Sequence, residues 1–129
     1  MKLLLDTHIW LWSLSDSERL GDHVREELRD SQNQLWLSPI STWEALTLHA
    51  KGRILLHADP DAWVRRAVAP FHEAPLTHEI AFMARELKLR QRDPADRFLA
   101  ATAKVLGLTL VTADAGLLGL GEIATLGNR

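Results

Sequence analysis

Four acids stand where a folded chain could gather them. Asp6 directly follows the apolar run Leu3-Leu4-Leu5, and Asp114 follows Leu110-Val111-Thr112-Ala113. A short continuous apolar run reads as a buried strand, so each aspartate sits just past a strand's carboxyl end. Asp96 belongs to Asp93-Pro94-Ala95-Asp96-Arg97. There Asp93 suits a helix N-cap and Pro94 the first helical position. Asp96 shares a helix face with the apolar residues Leu99, Ala100 and Ala103, at i+3, i+4 and i+7. Glu44 falls inside a helical stretch whose apolar face is expected from Ile40, Trp43 and Leu46. Capping is the ordinary reading of Asp6, Asp114 and Asp93 taken singly, and a snorkelling side chain that of Glu44. Asp59-Pro60-Asp61 has the same cap-and-proline start with nothing else to suggest chemistry.

Carboxylates brought together repel one another and resist joint ionisation, so a set of three or four is usually held by a divalent cation. Hard oxygen donors without thiolate suit Mg²⁺ or Mn²⁺. Such a centre can activate water and stabilise the leaving oxygen in phosphodiester hydrolysis. The chain has no cysteine, which removes thiol catalysis and Cys-type zinc sites. Its six histidines form no H-x-x-x-H pair, and His8 reads as a polar residue near a helix start.

Positioning those acids requires strands that alternate with helices. Apolar runs predict strands over residues 2–5, 35–37, 71–76, 108–111 and 123–126, the third being the weakest. Helical spacing covers residues 7–14, 22–29, 40–51, 62–68, 78–87 and 95–106, with Gly52 and Gly107 at C-cap positions. The alternation predicts an α/β fold, a three-layer α/β/α sandwich with a mainly parallel central sheet. Ligands in such folds bind at the strands' carboxyl ends, where strand order reverses. No repeat or long linker divides the 129 residues, so one domain is expected over 1–129.

Composition narrows the function further. With 47% apolar and 25% charged residues, the chain is not wholly disordered. A net charge of −2 excludes a global basic field, so any nucleic-acid contact must use local charge. Lys88, Arg90, Arg92 and Arg97 flank the Asp93–Asp96 motif, and Arg90, Arg92 and Arg97 are candidate RNA contacts. Asp6 and His8 interrupt the N-terminal apolar run and no cleavage signal follows, which predicts a cytoplasmic protein without membrane segments. The five tryptophans read as core or interface residues. The apolar load of Ile9, Trp10, Leu11, Trp12 and Leu14 is expected to meet, in part, another chain.

Taken in order, Asp6-Thr7-His8-Ile9-Trp10-Leu11-Trp12, Ser41-Thr42-Trp43-Glu44, Asp93-Pro94-Ala95-Asp96-Arg97 and Leu110-Val111-Thr112-Ala113-Asp114 resemble the PIN-domain family. Within it, the chain is most similar to VapC-type toxins of bacterial type II toxin–antitoxin pairs. The resemblance spans essentially the whole chain. It implies an Mg²⁺-dependent endoribonuclease whose catalytic and metal-holding acids fall on Asp6, Glu44, Asp96 and Asp114. Thr112 matches the hydroxyl residue accompanying the fourth acid, while Thr7 and Asp93 support the site. Where some PIN proteins carry one more acid, this chain has Ala115 and Gly116. The resemblance further implies a homodimer and a small inhibitory antitoxin. Two other readings stay open from the residues: a PIN-like RNA-binding or antitoxin-sequestered module with little activity, and a phosphoacceptor receiver domain, for which the paired acid and the late lysine are wanting.

Overall fold

The computed structural model describes residues 1–90 and 93–129. Its sheet is built on β1 (Lys2–Leu5), β2 (Gln34–Leu37), β3 (His72–Glu73), β4 (Thr109–Thr112) and β5 (Thr125–Gly127). The spatial order is β3-β2-β1-β4-β5, with every neighbouring pair parallel. The central strand pairs Leu3 with Leu35 on one side and with Thr109 on the other. Strand order therefore reverses at the β1/β4 seam, which opens a crevice beyond the carboxyl ends of those two strands.

Helices cover both sheet faces. They are α1 (Thr7–Ser15), α2 (Asp22–Arg29), α3 (Pro39–Ala50), α4 (Pro60–Val68), α5 (His78–Glu86), α6 (Pro94–Leu106) and the single turn α7 (Ala115–Leu118). Alternation along β1 sends Leu4 to one face and Leu3 and Leu5 to the other. Leu4 and Leu110 pack with Ile80, Ala84, Leu99 and Ala103 of α5 and α6. On the opposite face Leu3, Leu5 and Val111 pack with Ile9, Trp10, Val24 and Ala67 of α1, α2 and α4. Helix α3 bridges the layers, with Ile40 against the first cluster and Ala45 in the second. The three-layer sandwich expected from the alternation is the observed one, and its sheet is parallel throughout.

Most elements start on side-chain caps. The carboxylates of Asp6, Asp59, Asp93 and Asp114 and the hydroxyls of Ser38 and Thr77 accept the first free helical amides, with proline next at positions 39, 60 and 94. At the other end of α6, Gly107 adopts φ 66°, the left-handed conformation that a side chain disfavours, and returns its N–H to Ala103 O. The weak strand expected over 71–76 is only two exposed residues, His72–Glu73. No helix among the described residues is long and apolar enough to cross a membrane.

Candidate active site

The β1/β4 seam brings Asp6 and Asp114 side by side. Asp6 is 8% exposed, and its backbone N–H continues the ladder to Val111 O at 3.0 Å. Its two carboxylate oxygens have separate jobs: Oδ1 accepts from Thr7 N at 2.7 Å, starting α1, and Oδ2 accepts from the Thr112 hydroxyl at 2.6 Å. Thr112 is fully buried, and its oxygen also accepts the Asp114 amide at 3.0 Å. One hydroxyl thus ties the ends of both strands together. Asp114 in turn receives Gly116 N at 2.8 Å and Leu117 N at 3.2 Å, which starts α7.

Glu44 reaches the crevice from α3. The Thr7 hydroxyl donates to Glu44 Oε1 at 2.5 Å, and Ser41 Oγ lies 2.8 Å from the same Thr7 oxygen. A hydroxyl has one proton, so Ser41 donates to Thr7 and Thr7 donates to Glu44. The inward face of α3 is consequently Ser41, Ala45 and the half-buried Glu44 and Leu48. Of the face expected from Ile40, Trp43 and Leu46, Ile40 and Leu46 are half-buried but Trp43 is 61% exposed. A polar contact, which apolar periodicity does not register, sets the rotation of the helix.

Asp96 enters from the first turn of α6, half-buried, three residues after the capping Asp93, whose Oδ1 accepts Ala95 N at 3.0 Å. Burial, then the charges of Asp93, Asp6, Asp114 and Glu44 in that order, push its carboxyl up to about 7. Burial is also the main cause raising Asp6 and Glu44, partly offset by the Thr112 and Thr7 hydroxyls that favour the ionised forms. Asp96 therefore feels each of the other three expected acids. Asp93, besides capping α6, adds its charge to the same field and raises Glu44 as well as Asp96.

Among the described residues no ion pair reaches Asp6, Glu44 or Asp96: the pairs lie at Arg25–Asp22, Arg65–Asp61 and Lys104–Glu122, and only the nearby charge of His8 offsets burial at Asp6 and Glu44. The donor set is oxygen only, with Asp6, Glu44 and Asp96 raised by burial and by neighbouring carboxylates, and it fits a hard divalent cation. No three His, Asp or Glu side chains among the described residues form a ready coordination set. Asp6 and Glu44 are turned toward Thr112 and Thr7, and a cation would have to draw them inward.

The basic residues expected to contact RNA part company. Arg90 is exposed beside the acids' helix. Arg92 lies outside the described residues. Arg97 is used differently from the phosphate contact expected of it. Its guanidinium donates to Ala84 O at 2.8 Å, Leu89 O at 2.7 Å, Leu87 O at 2.9 Å and Arg85 O at 3.4 Å. It closes the carboxyl end of α5, where unsatisfied carbonyls and the helix dipole favour a cation. Ser41, quoted only as part of the motif, and His8, close to Asp6 in sequence, both bear on the site. Ser41 fixes Thr7, and the His8 imidazole acts on both Asp6 and Glu44.

Comparison with known proteins places the fold and the family. The chain is 29% identical over 113 residues to Ribonuclease VapC22 of Mycobacterium tuberculosis, covering 87% of this chain and 86% of that one. It superposes on the structure of VapBC from Salmonella typhimurium, bound to DNA, with a TM-score of 0.75, at 17% identity and 100% and 99% coverage. For VapBC2 from Rickettsia felis, bound to a DNA fragment from their promoter, the TM-score is 0.74 at 15% identity, with both chains fully covered. The PIN domain family model matches residues 3–122, a span that takes in β1, α3, α6 and β4 with every acid of the crevice, and the chain belongs to that family.

Proposed function

We propose that the protein is a metal-dependent endoribonuclease acting as the toxin of a type II toxin–antitoxin pair. What supports the reading is that Asp6, Glu44 and Asp114 come near enough to Asp96, at the strand-order reversal, for their charges to add to the burial that raises its carboxyl to about 7. Half-buried carboxylates that repel one another are costly to keep ionised unless a cation binds beside them. The similarity to Ribonuclease VapC22 supports RNA as the substrate. The likeness to VapBC complexes supports a small antitoxin as partner. The chain acts as one PIN-like domain over residues 1–129, as a homodimer in the cytoplasm.

Asp6 and Asp96 would hold Mg²⁺ or Mn²⁺ directly or through water, with Glu44 and Asp114 completing the set. A bound cation supplies positive charge that acidifies water and neutralises the scissile phosphate. The remaining work falls to the chain's own groups. Thr112 holds the Asp6 carboxylate ionised and oriented, and Thr7 does the same for Glu44. Glu44 and Asp114 would orient the attacking water, and Asp93 caps the start of α6 that carries Asp96.

The test is cleavage of total RNA by the purified chain with Mg²⁺ or Mn²⁺. Expected is metal-dependent cleavage at defined sites, abolished by chelator and by Asp96→Asn. Tight RNA binding without metal-dependent turnover would instead establish a binding module.

A further inference from the structure

A half-open groove of about 340 Å³ lies against α1 and α3, lined by His8, Trp12, Asp16, Arg19, Leu48 and Arg53 among others. That is at the small end of ligand sites, which span roughly 300–1,000 Å³. It is joined to the crevice at two points. His8 follows Thr7 and is close enough for its charge to be felt by Asp6 and Glu44. Leu48 lies one helical turn beyond Glu44 on α3.

The groove's chemistry is aromatic and cationic. The Arg19 guanidinium carbon stands 4.5 Å from the Trp12 ring centroid, a cation–π stack, and His8 meets the same indole edge-on with centroids 5.9 Å apart. Arg19 and Arg53 take part in none of the ion pairs among the described residues. Asp16 is the one acid on the lining. Planar groups beside unpaired cations suit a single-stranded nucleotide, whose base stacks on aromatic or guanidinium planes while its phosphate meets arginine. A dry peptide groove would be short of such charge.

We infer that the Trp12–Arg19–Arg53 groove is a nucleotide subsite that seats one unpaired residue of single-stranded RNA next to the scissile bond. The base lies against the outer face of the Arg19–Trp12 stack, and Arg53 takes the phosphate. This rests on the ribonuclease reading and gives that reading a strand path, from the acids out along α1. It also places positive charge where a polyanion approaching five carboxylates needs it.

The experiment measures binding of a labelled single-stranded RNA oligonucleotide to the metal-free protein over a range of salt, then kcat and KM with Mg²⁺. Arg53→Ala, an exposed change, is expected to lower the log–log salt slope by about 0.7 and to raise KM with little effect on kcat. Trp12→Leu is expected to weaken binding about tenfold without changing that slope. Arg66→Ala, on α4, serves as the control that alters neither. If both groove variants bind and cleave like the unmodified protein, the subsite is wrong while the ribonuclease reading stands. If they lose capture of a protein partner but keep RNA binding, the groove is a protein-docking surface and the inference falls. Absence of metal-dependent cleavage by the unmodified protein removes the ribonuclease reading and the subsite together.

Discussion

The buried Thr112 hydroxyl donates to Asp6 Oδ2 at 2.6 Å while holding the amide of Asp114 at 3.0 Å. The carboxyl ends of both β1 and β4 therefore depend on one oxygen. Thr112→Val keeps the shape of the side chain but removes the donor from a desolvated carboxylate and the acceptor from an amide. Metal affinity or activity should fall about tenfold or more, as for other groups that orient ligands from behind, and stability by about 1–3 kcal/mol. Thr112→Ser should restore most of the activity. Titration calorimetry with Mn²⁺ and denaturant melts check both parts, and unchanged Mn²⁺ affinity in the valine variant would count against the arrangement.

Asp6→Asn and Asp96→Asn keep size and remove charge. Each should lower the cleavage rate roughly 10²-fold or more, by analogy with other electrostatic catalytic groups. Asp59 accepts the amides of Asp61 and Ala62 at the start of α4, and Asp61 pairs with Arg65 on the surface. Asp59→Asn and Asp61→Asn should leave the rate within experimental error, since Asn also caps and exposed ion pairs contribute little. Asp93→Asn should keep the cap but ease the repulsion on Asp96. Rates at matched folding decide, and full activity in both Asp6→Asn and Asp96→Asn would overturn the site.

Without metal, the acids set a pH dependence of stability. Asp96 titrates near 3.8 when unfolded and at about 7 when folded, so between those values the folded protein holds more protons than the unfolded one. Stability from this group is present at low pH and declines as pH rises across that window. Asp6 and Glu44 are raised too and act in the same direction. The chelator-treated protein should melt higher at about pH 5 than at about pH 8, and Asp96→Asn should flatten the profile. Mg²⁺ should raise the melting temperature most at the alkaline end. Differential scanning fluorimetry reads all three, and a profile rising with pH in the metal-free protein contradicts the assignment.

Arg97 and Arg90 should separate cleanly. Arg97→Met strips the donors from four carbonyls around the end of α5, at a cost of about 3 kcal/mol in stability. Arg90→Ala should leave the melting temperature in place and lower the salt slope of RNA binding by about 0.7, the signature of one lost phosphate contact. Reversed outcomes would restore the reading of Arg97 as an RNA ligand.

What the sequence made visible follows from which forces leave a periodic trace. Leu3–Leu5 and Leu110–Val111 are apolar on both faces because helices cover both, so the strands, their parallel order and the acids at their ends could be read directly. The orientation of α3 could not, because Thr7, Ser41 and Glu44 fix it through a hydrogen-bonded chain that hydropathy scores as exposure. Arg97 misled for a related reason. A cation near an acidic motif reads as surface charge, and only the fold reveals that the carbonyls of α5 end beneath it. Helix α7 is four residues with a glycine inside, too short for any period to register. Among the tryptophans, Trp10 is fully buried and Trp43 largely exposed, a difference set by rotation of the helices rather than by residue type.

The seam between β1 and β4 joins residues 3–5 to residues 109–111, nearly the full chain apart. Such a contact is slow to form and comes late, because a long loop must close before any pairing compensates the lost chain entropy. During synthesis the first strand leaves the ribosome and waits for most of the protein to be made before its partner emerges. Asp6 has no Asp114 to face, and no Thr112 to hold it, until then. An incomplete chain that ends before Thr109 thus carries two or three of the acids yet cannot align them. Chemical competence arrives in one step, once Thr112 and Asp114 have been made and β4 has paired.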